Sequence, residues 1–234
     1  MTQSPAAIRR IGRAPRPLFV GAVVAFAVIG ACGDDDSNDG ISTRRVGSST
    51  VAAGASAADL GAAVLRLEDF GAGWQTDGVT LLPDDLEMGE PASVCPGGPV
   101  QPAPVAIASI QFETDPFSEM FVSEDVLAFG SDDDADAARD ALDFCVGQEW
   151  TVEGDPDEDV ILERLEVGEH GDESYGFRHL SADGYGFGSA LVRLGDVLIV
   201  VGIPQPDLSE PFDAQFLEDV IAKAVARAEP VVRE

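Results

Sequence analysis

The chain has 234 residues, 43 of them acidic and 14 basic, for a formal net charge of −29. Such an excess of carboxylate excludes nucleic acid as a partner, since neutralising phosphates needs clustered Lys and Arg. It equally excludes polybasic adhesion to anionic lipid. Lys223 is the single lysine beside thirteen arginines, a usage suited to a GC-rich genome.

In chain order, four arginines (Arg9, Arg10, Arg13, Arg16) and no acidic residue precede an apolar segment from Leu18 to Ile29. This is the tripartite plan of an export signal, and the segment is too short to span a bilayer, which takes about 20 residues. The tetrad Ile29-Gly30-Ala31-Cys32 that ends it resembles the lipobox of bacterial lipoproteins: a branched aliphatic residue, two small residues and the cysteine. The resemblance implies that residues 1–31 are a signal peptide, that the Cys32 thiol carries a diacylglyceryl group, and that the protein sits on the extracytoplasmic face of the cell membrane. Acyl chains add about 0.8 kcal/mol per buried methylene, so two or three hold a protein firmly. The alternative is an ordinary secretory signal that contains a cysteine. The Arg9-Arg10 pair fits twin-arginine export except at Gly12, where a hydrophobic residue is expected, so both export routes stay open.

Apart from Cys32, Arg44 and Arg45, residues 32–56 are Gly, Ser, Asp, Asn, Thr and Ala, with Ile41 the one large apolar residue besides valines. Such a stretch cannot offset its chain entropy by burial and is expected to be a disordered tether. Asp34-Asp35-Asp36-Ser37-Asn38-Asp39-Gly40 suggests a calcium loop but fails on spacing, because an EF-hand starting at Asp34 needs Gly at Asp39 and Glu at Arg45. With four of the basic residues and no acidic one in the signal, the remainder holds 10 basic against 43 acidic residues, a charge of −33.

Residues 57–234 suffice for one domain with one core. Ser56-Ala57-Ala58-Asp59 resembles a capping box, and Leu60, Val64 and Leu67 at helical spacing predict a helix ending near Gly71. Val105–Glu113 and Glu119–Gly130 alternate as strands. Ser131 and Asp134 form a second capping box, followed by Ala138, Ala141, Leu142 and Cys145 on one helical face. Val160–Val167, Glu173–Leu180 and Tyr185–Leu194 predict three strands, the last two joined through Asp183-Gly184. Gly195-Asp196 turns the chain into Val197–Ile203, an apolar strand expected in the middle of the sheet. A final helix is expected from about Ser209, with Pro211 in its first turn and Phe212, Phe216, Val220 and Ala224 on one face. The predicted class is α+β, an antiparallel sheet with packed helices.

Five features occur in order: Phe70-Gly71-Ala72-Gly73-Trp74; Cys95 in a Gly/Pro-rich loop; Asp143-Phe144-Cys145 with Trp150 nearby; Gly171-Asp172-Glu173-Ser174-Tyr175-Gly176-Phe177-Arg178; and Leu191-Val192-Arg193-Leu194-Gly195-Asp196-Val197. This order resembles the actinobacterial PknH-like sensor domains, found outside the membrane on mycobacterial serine/threonine kinases and as free-standing lipoproteins. The resemblance implies a strongly twisted antiparallel sheet flanked by helices, with a cleft for an unidentified ligand. This chain differs in carrying only two cysteines in the domain, enough for one disulfide, and no kinase segment.

With Cys32 assigned to lipid, Cys95 and Cys145 are left in an oxidising compartment and are expected to pair. A redox or nucleophilic cysteine would want a CxxC or a basic partner, and neither is visible. The rare amphipathic side chains Trp74, Trp150, Tyr175 and Tyr185, with Arg178 and Arg193 on strands, are the candidates for a ligand or partner surface. The alternative is that the tryptophans fill the core and the arginines neutralise nearby carboxylates. No catalytic, metal or cofactor set is expected. The region His170, Asp172, Glu173 and His179 is the one place where an envelope hydrolase or metal enzyme can be drawn, but no G-x-S-x-G or H-E-x-x-H accompanies it. The expected function is a non-enzymatic, membrane-anchored binding or sensor domain for a small cell-envelope ligand or a protein partner; an interaction lipoprotein without a cleft is a further alternative.

Overall fold

The computed structural model describes residues 57–82, 93–114, 120–151, 159–181 and 185–233. The signal peptide, Cys32, the tether to Ser56 and the Asp183-Gly184 loop lie outside the described residues. Helix α1 (Ala57–Ala63) and a 3-10 turn (Leu67–Asp69) are followed by β1 (Thr80–Leu82), β2 (Ala106–Glu113) and β3 (Phe121–Ala128). Helix α2 (Asp132–Cys145) leads to β4 (Glu149–Thr151), β5 (Asp159–Leu165), β6 (Glu173–Ser181), β7 (Gly186–Leu194) and β8 (Val197–Gln205), and α3 (Ala214–Val232) closes the chain. The eight strands make one sheet in the order β1-β2-β3-β8-β7-β6-β5-β4, with every neighbouring pair antiparallel. The class is α+β.

Strand β8 lies between β3 and β7, and all nine of its residues are buried. That position explains its unbroken apolar sequence, since a strand covered on both faces has no solvent side to make polar. The hairpin that delivers it pairs Leu194 with Val197 across Gly195-Asp196, with Gly195 at φ +60°, a conformation glycine adopts without a Cβ clash.

The two faces of the sheet are covered differently. On one, α1 and α3 bury Leu60, Val64, Leu217, Val220 and Ile221 against Phe112, Val126, Val192, Ile199 and Val201. On the other, α2 packs Ala135, Ala138, Leu142 and Cys145 against Leu127, Phe177, Leu191, Leu198 and Val200. Ser131 caps α2, its Oγ accepting the Asp134 N–H at 3.2 Å, and three aspartates occupy the first turn, where the helix dipole favours them. Cys95 and Cys145 are joined by a disulfide with Cα atoms 5.9 Å apart, which ties the C-terminal end of α2 to the loop before β2.

Three sequence expectations need correction. Helix α1 stops at Ala63 rather than near Gly71, because the Leu65 N–H donates to the Glu124 carboxylate on β3 at 2.6 Å and Arg66 is extended (φ −135°, ψ 160°). Leu67 consequently leaves the apolar face and is 42% exposed. Helix α3 begins at Ala214, not near Ser209: the Asp213 side chain accepts the Phe216 N–H at 3.0 Å, so Pro211 and Phe212 precede the helix. Strands β1 and β4, each of three residues, were not expected.

Candidate functional site

Tyr175 and Phe177 point from β6 toward α2, beside Leu191 of β7 and with Arg164 of β5 paired to Phe177 across the sheet. From α2, Arg139, Leu142 and Asp143 come down on the same place, with Val146 just past the helix end. Together they line a small, solvent-open groove. Its floor is apolar, made by Leu142, Val146, Phe177 and Leu191, and its rim is charged. The Tyr175 ring is held between two guanidinium groups, with the Arg139 Cζ 5.5 Å and the Arg164 Cζ 5.6 Å from its centroid, both within cation–π range.

The two arginines differ in how they are held. Arg139, with a side chain 16% exposed, reaches Glu173, Asp140 (2.7 Å) and Asp136 (3.1 Å). Burial works against its charge, but the hydrogen bond to Asp140 and the field of Glu173 keep the guanidinium pKa above the ordinary arginine value. Arg193, on β7 behind it, lies 3.4 Å from Asp136 and donates to the Gly195 carbonyl at 3.3 Å. Among the described residues Arg164 has one ionic partner, Asp143, and both side chains are about half exposed (47% and 48%). Two of the seven arginines among the described residues thus flank one aromatic ring, and Arg193 shares the Asp136 and Glu173 carboxylates with Arg139. The polar lining of the groove consists of Arg139, Asp143, Arg164 and the Tyr175 hydroxyl.

Of the candidate residues, the structure places Tyr175 in the groove and Arg193 beside it, against Asp136 and Glu173. Trp74 is on the opposite face, packed with Phe70 (5.0 Å between centroids) and Phe216 (6.1 Å). Arg178 also faces that side and pairs with Glu163 at 2.9 Å. Tyr185 precedes β7, its carbonyl accepting the Ser181 N–H at 2.9 Å. Trp150 falls in β4. Arg139, Arg164 and Asp143 were not among the sequence candidates. Nothing local marks them: they meet only because β5 and α2 border the same strand. The one available signal was Arg139 lying three and four residues before Leu142 and Asp143, hence beside them on the helix.

The residues of the enzyme alternative take separate partners. His170 Nε2 is 2.8 Å from Glu218 on α3, and with its side chain 18% exposed it is not in solvent. Burial opposes the Glu218 charge, yet His170 and the Gly168 N–H hold its carboxyl below the ordinary glutamate range. Asp172 accepts the Gly195 N–H at 2.8 Å and Arg233 at 2.9 Å, which lowers its pKa and staples the β7–β8 turn. Glu173 meets Arg139 in the groove, and His179 lies across from Leu162 in the sheet. Among the described residues no group of three His, Cys, Asp or Glu side chains is placed to hold a metal ion.

No protein-family model and no curated protein matches the sequence. Among solved structures, the chain is similar to the extracellular domain of PknH from Mycobacterium tuberculosis at 16% identity and a TM-score of 0.47, covering 74% of this chain and 94% of that one. It is also similar to an uncharacterized protein of Mycobacterium smegmatis, an Rv0999 ortholog, at 11% identity and a TM-score of 0.40, covering 78% and 99%. No helix among the described residues is long and apolar enough to cross a membrane.

Proposed function

We propose that the protein is a lipid-anchored, extracytoplasmic binding domain without catalytic activity, organised as a signal peptide (1–31), a lipidated Cys32 with a polar tether (32–56) and a ligand-binding α+β domain (57–234). The address is supported by the Ile29–Cys32 tetrad and by a disulfide of the kind that persists in oxidising compartments. The binding role is carried by one observation, Tyr175 held between Arg139 and Arg164 over an apolar floor. An apolar concavity with a few convergent polar groups is the usual form of a small-ligand site, and here it would take a small molecule of the cell envelope.

Two measurements test this. Cells producing the chain and fed a labelled fatty acid should yield labelled protein, and Cys32→Ala should abolish the label; label retained by Cys32→Ala would remove the anchor. An extract of cell envelope added to the purified protein should shift the NMR signals of Tyr175, Phe177 and Leu191. Leu142→Trp, which fills the groove, should suppress those shifts while the fold is retained. Shifts confined to other surfaces, or turnover of an envelope ester or glycan by the domain, would overturn the reading.

A further inference from the structure

The contacts around Tyr175 are of two kinds, fixed and exchangeable. Arg139 is mostly buried and engaged by three carboxylates, so an incoming anion would meet a guanidinium already neutralised by the chain. The Arg164–Asp143 pair is half exposed, joins β5 to α2 across the groove, and gives Arg164 its one ionic partner among the described residues. An exposed ion pair of this kind contributes little net stability because water competes for both groups. Asp143 is therefore a weakly held carboxylate seated on an arginine directly beside the apolar floor of Leu142, Val146, Phe177 and Leu191.

The geometry points to a ligand that is an amphipathic anion, a carboxylate or phosphate monoester on a short apolar stem, which displaces Asp143 from Arg164 and lays its stem on the groove floor. This rests on the reading of the groove as a binding site and names its ligand class. Arg164 offers a planar fork of donors suited to either headgroup. The Tyr175 ring at its back keeps the guanidinium in place without using those in-plane donors. The net charge of the chain does not forbid this, since carboxylates beyond about 8 Å are largely screened at physiological ionic strength. Asp143 sets a threshold: it occupies the anion position until a better-matched anion with an apolar stem arrives.

The test titrates the full-length chain with octanoate, octyl phosphate, octanol and inorganic phosphate, read by calorimetry and by the Arg164 Nε–H signal. The two octyl anions should bind and move that signal. Arg164→Gln should weaken both roughly tenfold or more, as expected for a lost charge-assisted contact. Asp143→Asn, which removes the internal competitor, should strengthen both by roughly twofold. Opposite signs for the two halves of one ion pair are what a merely structural pair would not give. Phosphatidic acid vesicles added to Cys32→Ala distinguish sources: retention lost with Arg164→Gln identifies a bilayer headgroup, and binding of the octyl anions alone identifies a free amphiphile. Octanol binding as well as octanoate, with no effect of either variant, would overturn the anion while leaving the groove a binding site. Failure of every octyl compound alongside shifts from envelope extract would also overturn this inference alone, whereas failure of both would remove the binding role as well.

Discussion

The two faces of the sheet solve the same packing problem by opposite means. The face under α1 and α3 is a dry apolar core, built by a 19-residue helix and the large side chains Phe112, Leu194, Leu217 and Ile221. The face under α2 has a thinner apolar layer, with Ala135, Ala138 and Leu142 supplied by the helix, and is reinforced by the Cys95–Cys145 disulfide and by ion pairs around Tyr175. Apolar packing is non-directional and tolerates no unpaired charge, whereas ion pairs at a wet edge can exchange partners at little cost. The proposed binding groove lies on the second face, where the helix is secured by means that leave its edge adaptable.

The largest test of this contrast is the disulfide. Closing a loop over 50 residues is worth about 4 kcal/mol in the chain-entropy model. Cys95→Ala with Cys145→Ala should lower unfolding stability by about that amount, and amide exchange should show α2 losing protection before α3. Equal loss of protection in both helices, or a stability loss under about 1 kcal/mol, would show that packing alone holds α2 and erase the distinction between the faces.

The dry face has its own weak point, Glu124, fully buried at the sheet centre. One carboxyl oxygen accepts the Leu65 N–H, and the other is buried without a hydrogen-bond partner. Burial pushes its pKa up to about 8; the Leu65 amide opposes this, Asp125 and Asp69 add to it, and Arg227 subtracts. Because the folded value exceeds the unfolded 4.5, the folded chain keeps a proton that the unfolded chain has released. The stabilisation from protonation is thus complete below about pH 4.5, falls as pH rises, and is exhausted above about pH 8, at a slope of roughly 1 kcal/mol per pH unit between. Glu124→Gln keeps an acceptor for Leu65 and cannot ionise, so its stability relative to the parent chain should rise across that window. Denaturation midpoints measured from pH 5 to 9 decide it; parallel curves would mean that Glu124 is solvated.

How much of this was legible in the sequence follows from the range of the interactions involved. Ser131 with Asp134, the Gly195-Asp196 turn and the apolar β8 carry local signals, and all three stand in the structure as read. The early stop of α1 does not, because it depends on Glu124, 59 residues away. Alternation in β3 did hold a hint, since Glu124 shares the parity of Val122 and Val126 and so faces their core. Strands β1 and β4 at the sheet edges are too short for any period to register. At the groove, Tyr175 and Arg193 could be singled out as rare side chains, but their partners Arg139 and Arg164 come from α2 and β5 and are joined only by tertiary structure.

Smaller effects compare the helix caps on the two faces. Ser131→Ala and Asp213→Ala each remove a side-chain acceptor for an N-terminal amide, worth about 1 kcal/mol. Ser131→Ala should also loosen the groove, seen as faster amide exchange at Arg139 and Asp140, whereas Asp213→Ala should leave those amides unchanged. Loosening of α2 by both variants would mean that the two layers move as one.

The smallest stability effect is expected at the pair closest to the proposed ligand. Arg164 and Asp143 are each about half exposed, so Arg164→Gln and Asp143→Asn should each shift unfolding stability by less than about 0.5 kcal/mol. Arg139→Gln is the control within the same groove: its side chain is mostly buried, and its removal leaves Glu173 and a buried Asp136 oxygen with only the more distant Arg193, at 3.8 and 3.4 Å, as a cation among the described residues, a loss of about 1–2 kcal/mol. If Arg164 instead proved as costly to remove as Arg139, the pair would be a structural brace, and an anion could not displace Asp143 without unseating α2. Near-zero cost leaves the contact free to change partners, which is the physical condition for a carboxylate of the chain and a carboxylate or phosphate of a ligand to compete for one guanidinium.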